Sequence, residues 1–261
     1  MKVSLAMPIR NMGGYVGAAV RSVLTQSHQD VELLVHDAGS TDDTAAVLVS
    51  LADPRLLVVS EQDEGQADAI NRGLSRSSGE ILGWLNADDG LEDGALEHVV
   101  AAFHRYPDVE LVYGRGYYAD PDGTRRSDYP VRQYDRRLLL TRDYILQPAC
   151  FWRRNLWDRV GPLDTTLDYG FDWDWLIRAS RVTPFCFLDL DLAWYGITGL
   201  NKSLTGGTAR QSELAAVARR YGGILQPTYL YWNFYRLQQR IPLLHVVERP
   251  LLRAFRGRVT T

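Results

Sequence analysis

The chain has 261 residues, of which 46% are hydrophobic and 23% charged, and its formal net charge is −3. Its 7 Trp, 14 Tyr and 7 Phe supply enough apolar surface to exclude a disordered chain, and the negative charge argues against a general nucleic-acid binder. The longest stretch without a charged residue, Tyr221 to Tyr235, is shorter than the ~18 residues of a membrane-spanning helix and contains Pro227.

The first hundred residues alternate between short apolar runs and amphipathic segments. The predicted strands are Lys2–Met7, Val31–Asp37, Leu56–Ser60 and Glu80–Asn86. The predicted helices are Val16–Gln26, Asp42–Leu51, Gln66–Arg76 and Asp93–Tyr106. Strands separated by helices of this length predict βαβ units and a mostly parallel sheet.

Right-handed crossovers place the carboxyl ends of all four strands at one edge of that sheet. The segments that follow the strands are polar and rich in carboxylates or glycine: Pro8–Asn11, Asp37–Thr41, Glu61–Gly65 and Asn86–Gly90. Because ligands of open α/β sheets bind in the crevice at this edge, we expect the functional site there.

The pattern changes beyond residue 107. Strands at Val109–Tyr113 and Gly116–Asp120 are predicted to flank Gly114–Arg115 in a hairpin-like structure, with a turn signal at residues 120–123. The remaining predicted elements are helices at Leu156–Val160 and Trp173–Arg181, a strand at Phe185–Leu190, and helices from about Thr208 onward. We therefore predict one α/β domain over residues 1–222 and a basic helical extension over residues 223–261.

The strongest local motif is Asn86-Ala-Asp-Asp89, directly after the apolar run Ile81–Leu85. Two adjacent carboxylates at a strand end repel each other, and a bound Mn²⁺ or Mg²⁺ ion, which prefers oxygen ligands, would offset that repulsion. The alternative is structural: Asp89 and Gly90 form a turn, and Asp93 caps the next helix.

A second motif, Asp37-Ala-Gly-Ser-Thr-Asp42, follows the second predicted strand. Capping of the next helix accounts for Ser40, Thr41 and Asp42. It does not require a carboxylate at Asp37, which is suited to accept hydrogen bonds from a nucleobase. Since neither a Walker-type lysine nor a Gly-x-Gly-x-x-Gly pattern follows the first strand, ATP hydrolysis and dinucleotide binding are poorly supported.

The third motif is Asp172-Trp-Asp-Trp175, just before a helical stretch. Its two carboxylates cannot point the same way, so one is available for chemistry while the other caps the helix. A carboxylate shielded by Phe171 and Trp173 would have a raised pKa, as a general base requires. The alternative is a simple capping Asp beside packed aromatic residues.

Taken in order, these motifs resemble those of the family 2 glycosyltransferases, which have the GT-A fold with a single Rossmann-like mixed sheet flanked by helices. The resemblance covers roughly residues 1–205, in the segments Val3–Pro8 with Asn11, Val20–Gln26, Asp37–Asp42, Asp63–Gly73, Gly79–Asp89, Gln147–Arg154, Val160–Asp164 and Asp172–Asp174. It implies an inverting enzyme that transfers a sugar from a nucleotide-diphosphate donor, a UDP-sugar, to a hydroxyl of a glycan or lipid-linked acceptor.

The resemblance also implies roles for single residues. Asp37 corresponds to the carboxylate that binds the nucleobase, Asp88 to the one near the ribose, and Asp89 to the ligand of Mn²⁺ or Mg²⁺ on the donor diphosphate. Asp172 corresponds to the catalytic base of inverting members. The other donor-binding residues implied are Pro8, Arg10, Gln66 and Asp68.

The chain departs from the family pattern where relatives often have an Arg-x-His stretch after a strand, because Gly196-Ile-Thr198 stands there. A histidine contribution to metal or phosphate binding is therefore missing. Lys202 is the nearby cation that we expect to neutralise phosphate instead.

Two other functions compete with this one. A nucleotidyltransferase that makes sugar nucleotides should carry a Gly-rich basic loop after the first strand, which Pro8–Gly14 resembles only faintly. A non-catalytic carbohydrate-binding protein of the same fold would not need Asp88, Asp89 and Asp172, all of which are intact.

The carboxy-terminal tail has a distinct composition. Between Tyr231 and Arg258 it has six Arg against one acidic residue, Glu248, interleaved with aromatic and aliphatic residues. This pattern is typical of a helix that lies on an anionic membrane surface. The alternatives are packing on the domain or a homo-oligomer contact.

The cellular location is predicted from two features. No signal peptide is expected, because Arg10 ends the first apolar run, and Cys150 and Cys186 are too far apart for a metal motif and are expected to be reduced thiols. We therefore predict a cytoplasmic protein, free or peripheral at the inner membrane face.

Overall fold

The amino-terminal half of the chain forms the parallel part of the sheet, as the alternation of strands and helices predicts. In a computed structural model of the protein, which describes residues 1–222, 229, 230 and 233, the first strands are β1 (Val3–Ile9), β2 (Val31–Asp37), β3 (Leu56–Ser60), β4 (Ile81–Trp84) and the short β5 (Gly90–Leu91). The helices of this half are α1 (Gly13–Leu24), α2 (Thr44–Leu51), α3 (Gln66–Arg76) and α4 (Ala95–Arg105). Strand β1 pairs in parallel with both β2 and β4, and β2 pairs in parallel with β3.

The second half extends this sheet with antiparallel pairings and with one parallel pair. Its strands are β6 (Leu111–Ala119), β7 (Arg125–Asp128), β8 (Cys150–Arg153) and β9 (Cys186–Gly196). Its helices are α5 (Arg136–Leu139), α6 (Arg154–Val160), α7 (Phe171–Ala179), α8 (Lys202–Thr205) and α9 (Gly207–Gly222), with one 3-10 turn at Gln147–Ala149. Strand β8 runs antiparallel between β4 and β6, β9 runs parallel to β6, and the strand order is β3-β2-β1-β4-β8-β6-β9-β5, with β7 paired to β6.

The prediction of two strands separated by Gly114–Arg115 is wrong, because one continuous strand, β6, passes through these residues. The predicted turn at residues 120–123 is confirmed: the Gly123 amide donates to the carbonyl oxygen of Asp120 (2.9 Å), and β7 pairs back onto β6. The glycines of β6 instead allow β9 to approach closely. A Cβ atom on Gly116 would lie 2.0 Å from the carbonyl oxygen of Ala193, and the β6–β9 register shifts at this point.

Two predicted helix starts are also corrected. Helix α2 begins at Thr44 rather than Asp42. Asp42 lies in the loop before the helix, where its side chain accepts hydrogen bonds from the amides of Thr44 (3.1 Å) and of Gly13 (3.0 Å), the first residue of α1. Asp93 does not cap α4, which begins after Gly94 in a left-handed conformation (φ 76°).

Helices bury apolar side chains on both faces of the sheet. One cluster joins α1 and α4 to β1 and β2, and the other joins α3, α6 and α7 to β4 and β8. In the second cluster the ring centre of Trp152 lies 4.6 Å from that of Trp175 and 6.0 Å from that of Trp157. These packed rings hold α7 against the sheet and so fix the position of Asp172 at its first turn.

Several predictions concern the tail and the thiols. Cys150 and Cys186 are free thiols, as expected. Within the part of the chain that the structure describes, no helix is both long and apolar enough to cross a bilayer. The six Arg of the tail lie outside the described residues, so the domain boundary after residue 222 and the membrane or oligomer role of the tail stay predictions.

Candidate functional site

A cavity of about 520 Å³ opens at the carboxyl ends of β1 and β4, at the edge where the sequence predicts the site. Small-molecule sites typically have volumes of ~300–1,000 Å³, so the cavity has room for a ligand. Five of the predicted site residues line it: Pro8, Gln66, Asp88, Asp172 and Lys202. The four that do not are Arg10, Asp37, Asp68 and Asp89.

Asp89 is fully enclosed and does not face the cavity. The side-chain amide of Asn86 donates to its Oδ2 (2.9 Å), and the backbone amide of Gly196 donates to its Oδ1 (3.1 Å). Gln66, at the start of α3, donates in turn to Oδ1 of Asn86 (2.8 Å). Asp89 therefore ties the loop after β4 to the end of β9.

Asp88 lies on the cavity wall, where its Oδ2 accepts a hydrogen bond from the side-chain amide of Asn201 (3.0 Å). Burial raises the pKa of Asp88 to about 6. Burial and the adjacent Asp88 carboxylate raise the pKa of Asp89 well above its ordinary value. In the described residues no cationic side chain offsets this cost, so a bound cation would stabilise the pair.

The acidic motif suits a divalent cation that has few protein ligands. No three His, Cys, Asp or Glu side chains of the described residues are arranged to hold a metal ion. Within the acidic motif, Asp88 offers the oxygen ligand that faces the cavity. Mg²⁺ commonly binds through one or two carboxylates together with substrate phosphates, so the motif fits a cation that a diphosphate helps to hold.

Gly196 and Asn201 position the acidic motif, and neither was predicted from the sequence. A Cβ atom on Gly196 would lie 1.8 Å from the carbonyl oxygen of Asp88, so only glycine allows the end of β9 to pack there. Asn201 is buried and donates both to Asp88 and to the carbonyl oxygen of Gly196 (2.7 Å). A glycine at the end of a strand was the one available signal, since it marks a close backbone approach.

Asp172 and Asp174 point to different surroundings, as the third motif predicts, but neither caps α7, because the N-cap residue is Gly170 and no described side chain caps it. Asp174 is buried, and its two oxygens accept hydrogen bonds from Arg178 (2.9 Å), Arg220 (2.9 Å) and the Tyr221 hydroxyl (2.7 Å). Asp172 lines the cavity, and among the described residues its Oδ1 accepts only from the backbone amide that follows it, that of Trp173 (2.7 Å). Burial raises the pKa of Asp172 to about 6.

A further carboxylate, Asp143, lines the same cavity and was not predicted. It lies in the loop before the 3-10 turn, and its Oδ1 accepts from the backbone amide of Ile145 (3.0 Å). Burial and the negative charge of Asp172 raise the pKa of Asp143 to about 8. A single Asp in a polar loop belongs to no local motif, so the sequence gave no signal for it.

The loops after β1 and β2 are joined to each other next to Pro8, which lines the cavity. Asp37 is buried, and its Oδ1 accepts from the amide (2.9 Å) and the hydroxyl (2.6 Å) of Ser40. Asn11, in a left-handed conformation (φ 54°), accepts from the amide of Thr41 (2.8 Å). Asp37 thus sets the shape of a loop beside the cavity.

The other predicted donor residues are placed differently. Asp68 pairs with Arg72 (2.8 Å) within α3 and accepts from the Glu64 amide (3.0 Å), and Arg10 is exposed. Lys202 lines the cavity from α8, 3.4 Å from Oδ1 of Asp168. The structure therefore brings the cation of Lys202, but not that of Arg10, to the cavity.

Comparisons with known proteins match the chain to glycosyltransferases. The family model described as Glycosyl transferase family 2 matches residues 4–160. The chain is 33% identical over 182 residues to a PGL/p-HBAD biosynthesis glycosyltransferase of Mycobacterium tuberculosis, covering 67% of this chain and 68% of that protein. It is 26% identical over 236 residues to an uncharacterized glycosyltransferase of Nostoc sp., covering 82% of this chain and 70% of that protein.

Two solved structures have a similar fold. S. aureus TarS 1-349 in complex with UDP-GlcNAc superposes with a TM-score of 0.68 at 17% identity, over 83% of this chain and 65% of that one. The mannosyltransferase PcManGT of Pyrobaculum calidifontis in complex with GDP-Man and Mn²⁺ has a TM-score of 0.67 at 17% identity, over 99% of this chain and 80% of that one. The expected α/β fold of GT-A type is therefore confirmed.

Proposed function

The chain belongs to glycosyl transferase family 2, and from this premise we propose that it transfers a sugar from a nucleotide-diphosphate donor, a UDP-sugar, to a hydroxyl of a glycan or lipid-linked acceptor, with inversion. One observation carries the proposal: a single cavity at the carboxyl edge of the sheet is lined by Asp88, Asp172 and Lys202. These three side chains supply a ligand for the donor's cation, a base and a positive charge.

Asp172 acts as the general base. It removes the proton of the acceptor hydroxyl while the acceptor oxygen forms a bond to the anomeric carbon and the bond from that carbon to the diphosphate oxygen breaks. With a pKa of about 6 it is mainly ionised at neutral pH and still basic enough to take a proton. Attack from the face opposite the leaving diphosphate inverts the anomeric centre.

The donor is held by the residues around the edge of the sheet. Pro8 and Gln66 line the cavity on the donor side, and Lys202 neutralises charge on the departing diphosphate. Asp37 binds the nucleobase, while Arg10 and Asp68 support the donor site from outside the cavity. The roles of Asp37, Arg10 and Asp68 come from the family resemblance, and that of Lys202 from its place near the missing histidine.

Asp88 holds the divalent cation, Mn²⁺ or Mg²⁺. The resemblance assigns this role to Asp89 and the ribose to Asp88, but the enclosure of Asp89 favours Asp88 as the direct ligand, with Asp89 holding the loop in place. When bound, such an ion neutralises negative charge on the donor diphosphate.

The proposed function is tested by incubating the full chain with UDP- and GDP-activated hexoses, Mn²⁺ and methyl hexopyranosides. We expect release of the nucleoside diphosphate and a new glycoside whose anomeric configuration, measured by NMR, is inverted. Asp158→Asn, an exposed change on α6, is the matched control and should react like the wild type. Retained configuration contradicts the inverting mechanism. Release of pyrophosphate favours a nucleotidyltransferase, and donor binding without turnover favours a carbohydrate-binding protein.

The metal assignment has its own test, calorimetry of nucleoside diphosphate binding with Mn²⁺ and with EDTA. Loss of a residue that only supports a metal ligand typically lowers metal affinity ~10–100-fold, so we expect Mn²⁺ to raise nucleotide affinity by at least about 10-fold in the wild type and not in Asp88→Asn. Asp89→Asn should keep most of the Mn²⁺ effect while lowering the melting temperature. If Asp89→Asn alone removes the effect, Asp89 is the ligand, as the resemblance implies.

A further inference from the structure

Asp143 and Asp172 reach the same cavity from different elements, and both lack a side-chain partner in the described residues. Asp143 accepts from the amide of Ile145 (3.0 Å) and Asp172 from that of Trp173 (2.7 Å). Both side chains are partly buried rather than enclosed, so each leaves surface open to the cavity. A ligand with hydroxyl groups would supply the side-chain hydrogen bonds that these two carboxyl groups lack in the free protein.

Arg210, on α9, lines the cavity opposite these carboxylates. Among the described residues its guanidinium has no hydrogen-bond or ion-pair partner, and its positive charge lowers the pKa of both Asp143 and Asp172. Lys202 differs, since it is paired with Asp168. Arg210 therefore presents free N–H donors to the same space into which the two carboxylates open.

Three tyrosine rings line another part of the same cavity. The ring centre of Tyr118 lies 5.1 Å from that of Tyr129 and 5.9 Å from that of Tyr195, and all three residues line the cavity. Burial raises the pKa of each of these hydroxyls, so they remain neutral. Aromatic faces beside carboxyl and guanidinium groups suit a molecule with both apolar C–H faces and hydroxyl groups.

We propose that Asp143 is an acceptor-binding residue, which holds a second hydroxyl of the acceptor next to the one from which Asp172 takes the proton. The acceptor class is therefore a saccharide with neighbouring hydroxyls rather than an alcohol with a single hydroxyl. This inference rests on the proposed transfer reaction. An acceptor with one hydroxyl would leave Asp143 desolvated and without a partner, and sites built for a hydroxyl discriminate strongly against ligands that lack it.

The protonation of Asp143 supports this role. Its pKa of about 8 leaves it mainly protonated at neutral pH, whereas Asp172 is mainly ionised. A protonated carboxyl both donates and accepts, so it can bind a hydroxyl without competing with Asp172 for the reacting proton. Arg210 from α9 acts on both carboxyl groups, Glu213 from α9 acts on Asp172, and the neutral hydroxyl of Tyr129 is close enough to be affected by both. Glu213 is held by the backbone amides of residues 168–170.

The experiment separates transfer to a sugar from hydrolysis of the donor, in which water is the acceptor. Nucleotide release by the full chain is measured with the best donor, alone and with methyl hexopyranosides, their monodeoxy analogues or cyclohexylmethanol. In the wild type we expect the methyl hexopyranosides, but not cyclohexylmethanol, to accelerate release. Deleting the hydroxyl next to the reacting one should cost ~10–100-fold.

In Asp143→Asn and Asp143→Ala, hydrolysis should fall much less than transfer, because water offers no second hydroxyl. Transfer should fall ~10-fold or more, mainly through a higher KM for the sugar, and the deoxy penalty should nearly disappear in Asp143→Ala. Asp158→Asn should behave like the wild type in every assay.

Three results overturn the inference. An equal loss of hydrolysis and transfer in Asp143→Asn assigns the residue to the fold or to the donor site. An unchanged deoxy penalty in Asp143→Ala, or equal acceleration by cyclohexylmethanol in the wild type, shows that Asp143 does not bind a second hydroxyl. A wild type that turns over none of the donors refutes the proposed function itself, and this pattern differs from all three results above.

Discussion

Carboxylates at the two ends of the parallel strands have opposite surroundings. At the amino end, Glu32 of β2 is buried and forms an ion pair with Lys2 (2.6 Å). It also accepts hydrogen bonds from the Ser4 hydroxyl (2.5 Å) and the Ser78 amide (2.6 Å). These hydrogen bonds and the charge of Lys2 outweigh burial and lower the pKa of Glu32 to about 2. Glu32 thereby joins the starts of β1 and β2 to the loop before β4.

At the carboxyl end, Asp88, Asp143 and Asp172 line the cavity without an ion pair among the described residues, and burial raises the pKa of all three. Buried carboxylates therefore stabilise the fold at the amino edge of the sheet and lower its stability at the carboxyl edge. Groups left without partners in the free protein are those that a bound donor, cation or acceptor can satisfy. The contrast indicates where the chain gives up stability for function.

The sharpest test of this contrast lies within one helical turn of α7. Asp172→Asn removes the base while keeping its shape, and general-base catalysis is typically worth ~10²–10⁴-fold, so we expect transfer to fall by that factor. Donor affinity and the melting temperature should not fall, because in the part of the chain that the structure describes Asp172 is hydrogen-bonded by a backbone amide and by no side chain. Transfer at the normal rate would mean that another group is the base.

Asp174→Asn should show the opposite behaviour. It removes the carboxylate that Arg178 and Arg220 share, and breaking a fully buried pair costs ~3–5 kcal/mol. Because both guanidinium groups keep part of their surface exposed, we expect a smaller loss of about 2–3 kcal/mol in the free energy of unfolding, measured by urea denaturation. Any folded Asp174→Asn protein should retain its base and hence most of its kcat. A large loss of kcat with unchanged stability would reverse the roles of the two carboxylates.

The amino edge gives a prediction about pH. The pKa of Glu32 in the folded protein, about 2, lies below its ordinary value of 4.5, so its contribution is full above about pH 4.5 and is lost as the pH falls toward 2. Since Lys2 is partly exposed, we expect Glu32→Gln to lower the free energy of unfolding at pH 7 by about 2 kcal/mol.

Urea denaturation from pH 7 down to pH 2.5 measures this contribution. The difference in the free energy of unfolding between the wild type and Glu32→Gln should shrink as the pH falls through this range. A constant difference would mean that Glu32 contributes through packing rather than through its charge.

The sequence specified much of the parallel half because its signals are local. The bounds of β2, β3 and α3 agree with prediction, since alternating and helical apolar patterns are complete within each element. The motif of Asp88 and Asp89 was found because it directly follows a strand.

Contacts between distant segments were not predictable in this way. The Gly196 amide meets Asp89 across 107 residues, and Asn201 meets Asp88 across 113. Gly114–Arg115 was predicted to separate two strands, but pairing with β9 keeps these residues within one strand. Asp143 becomes a site residue only because the loop that carries it folds beside α7, which no local pattern records.

The smallest expected effect tests how the carboxyl edge sets the pH dependence of the reaction. Ionised Asp172 is the active form, so the rate should rise with pH through about 6. Arg210 favours that ionised form, while Glu213 from the same helix opposes it. Without the guanidinium charge the pKa of Asp172 rises, and Arg210→Gln should therefore shift the acid limb of the kcat profile to higher pH, by about 0.5–1 unit.

Arg210→Lys, which keeps the positive charge, should return the acid limb of the kcat profile most of the way to its wild-type position. If Arg210 acted only through its shape, this substitution would not return it. An acid limb that stays in place or moves to lower pH in Arg210→Gln would show that the charge of Arg210 does not reach Asp172. Because Asp174 already has Arg178 and Arg220 as partners, the same substitution should leave urea stability nearly unchanged. Arg210 would then tune the reactive carboxylate of α7 without supporting the structural one, which is the distinction that separates the two edges of the sheet.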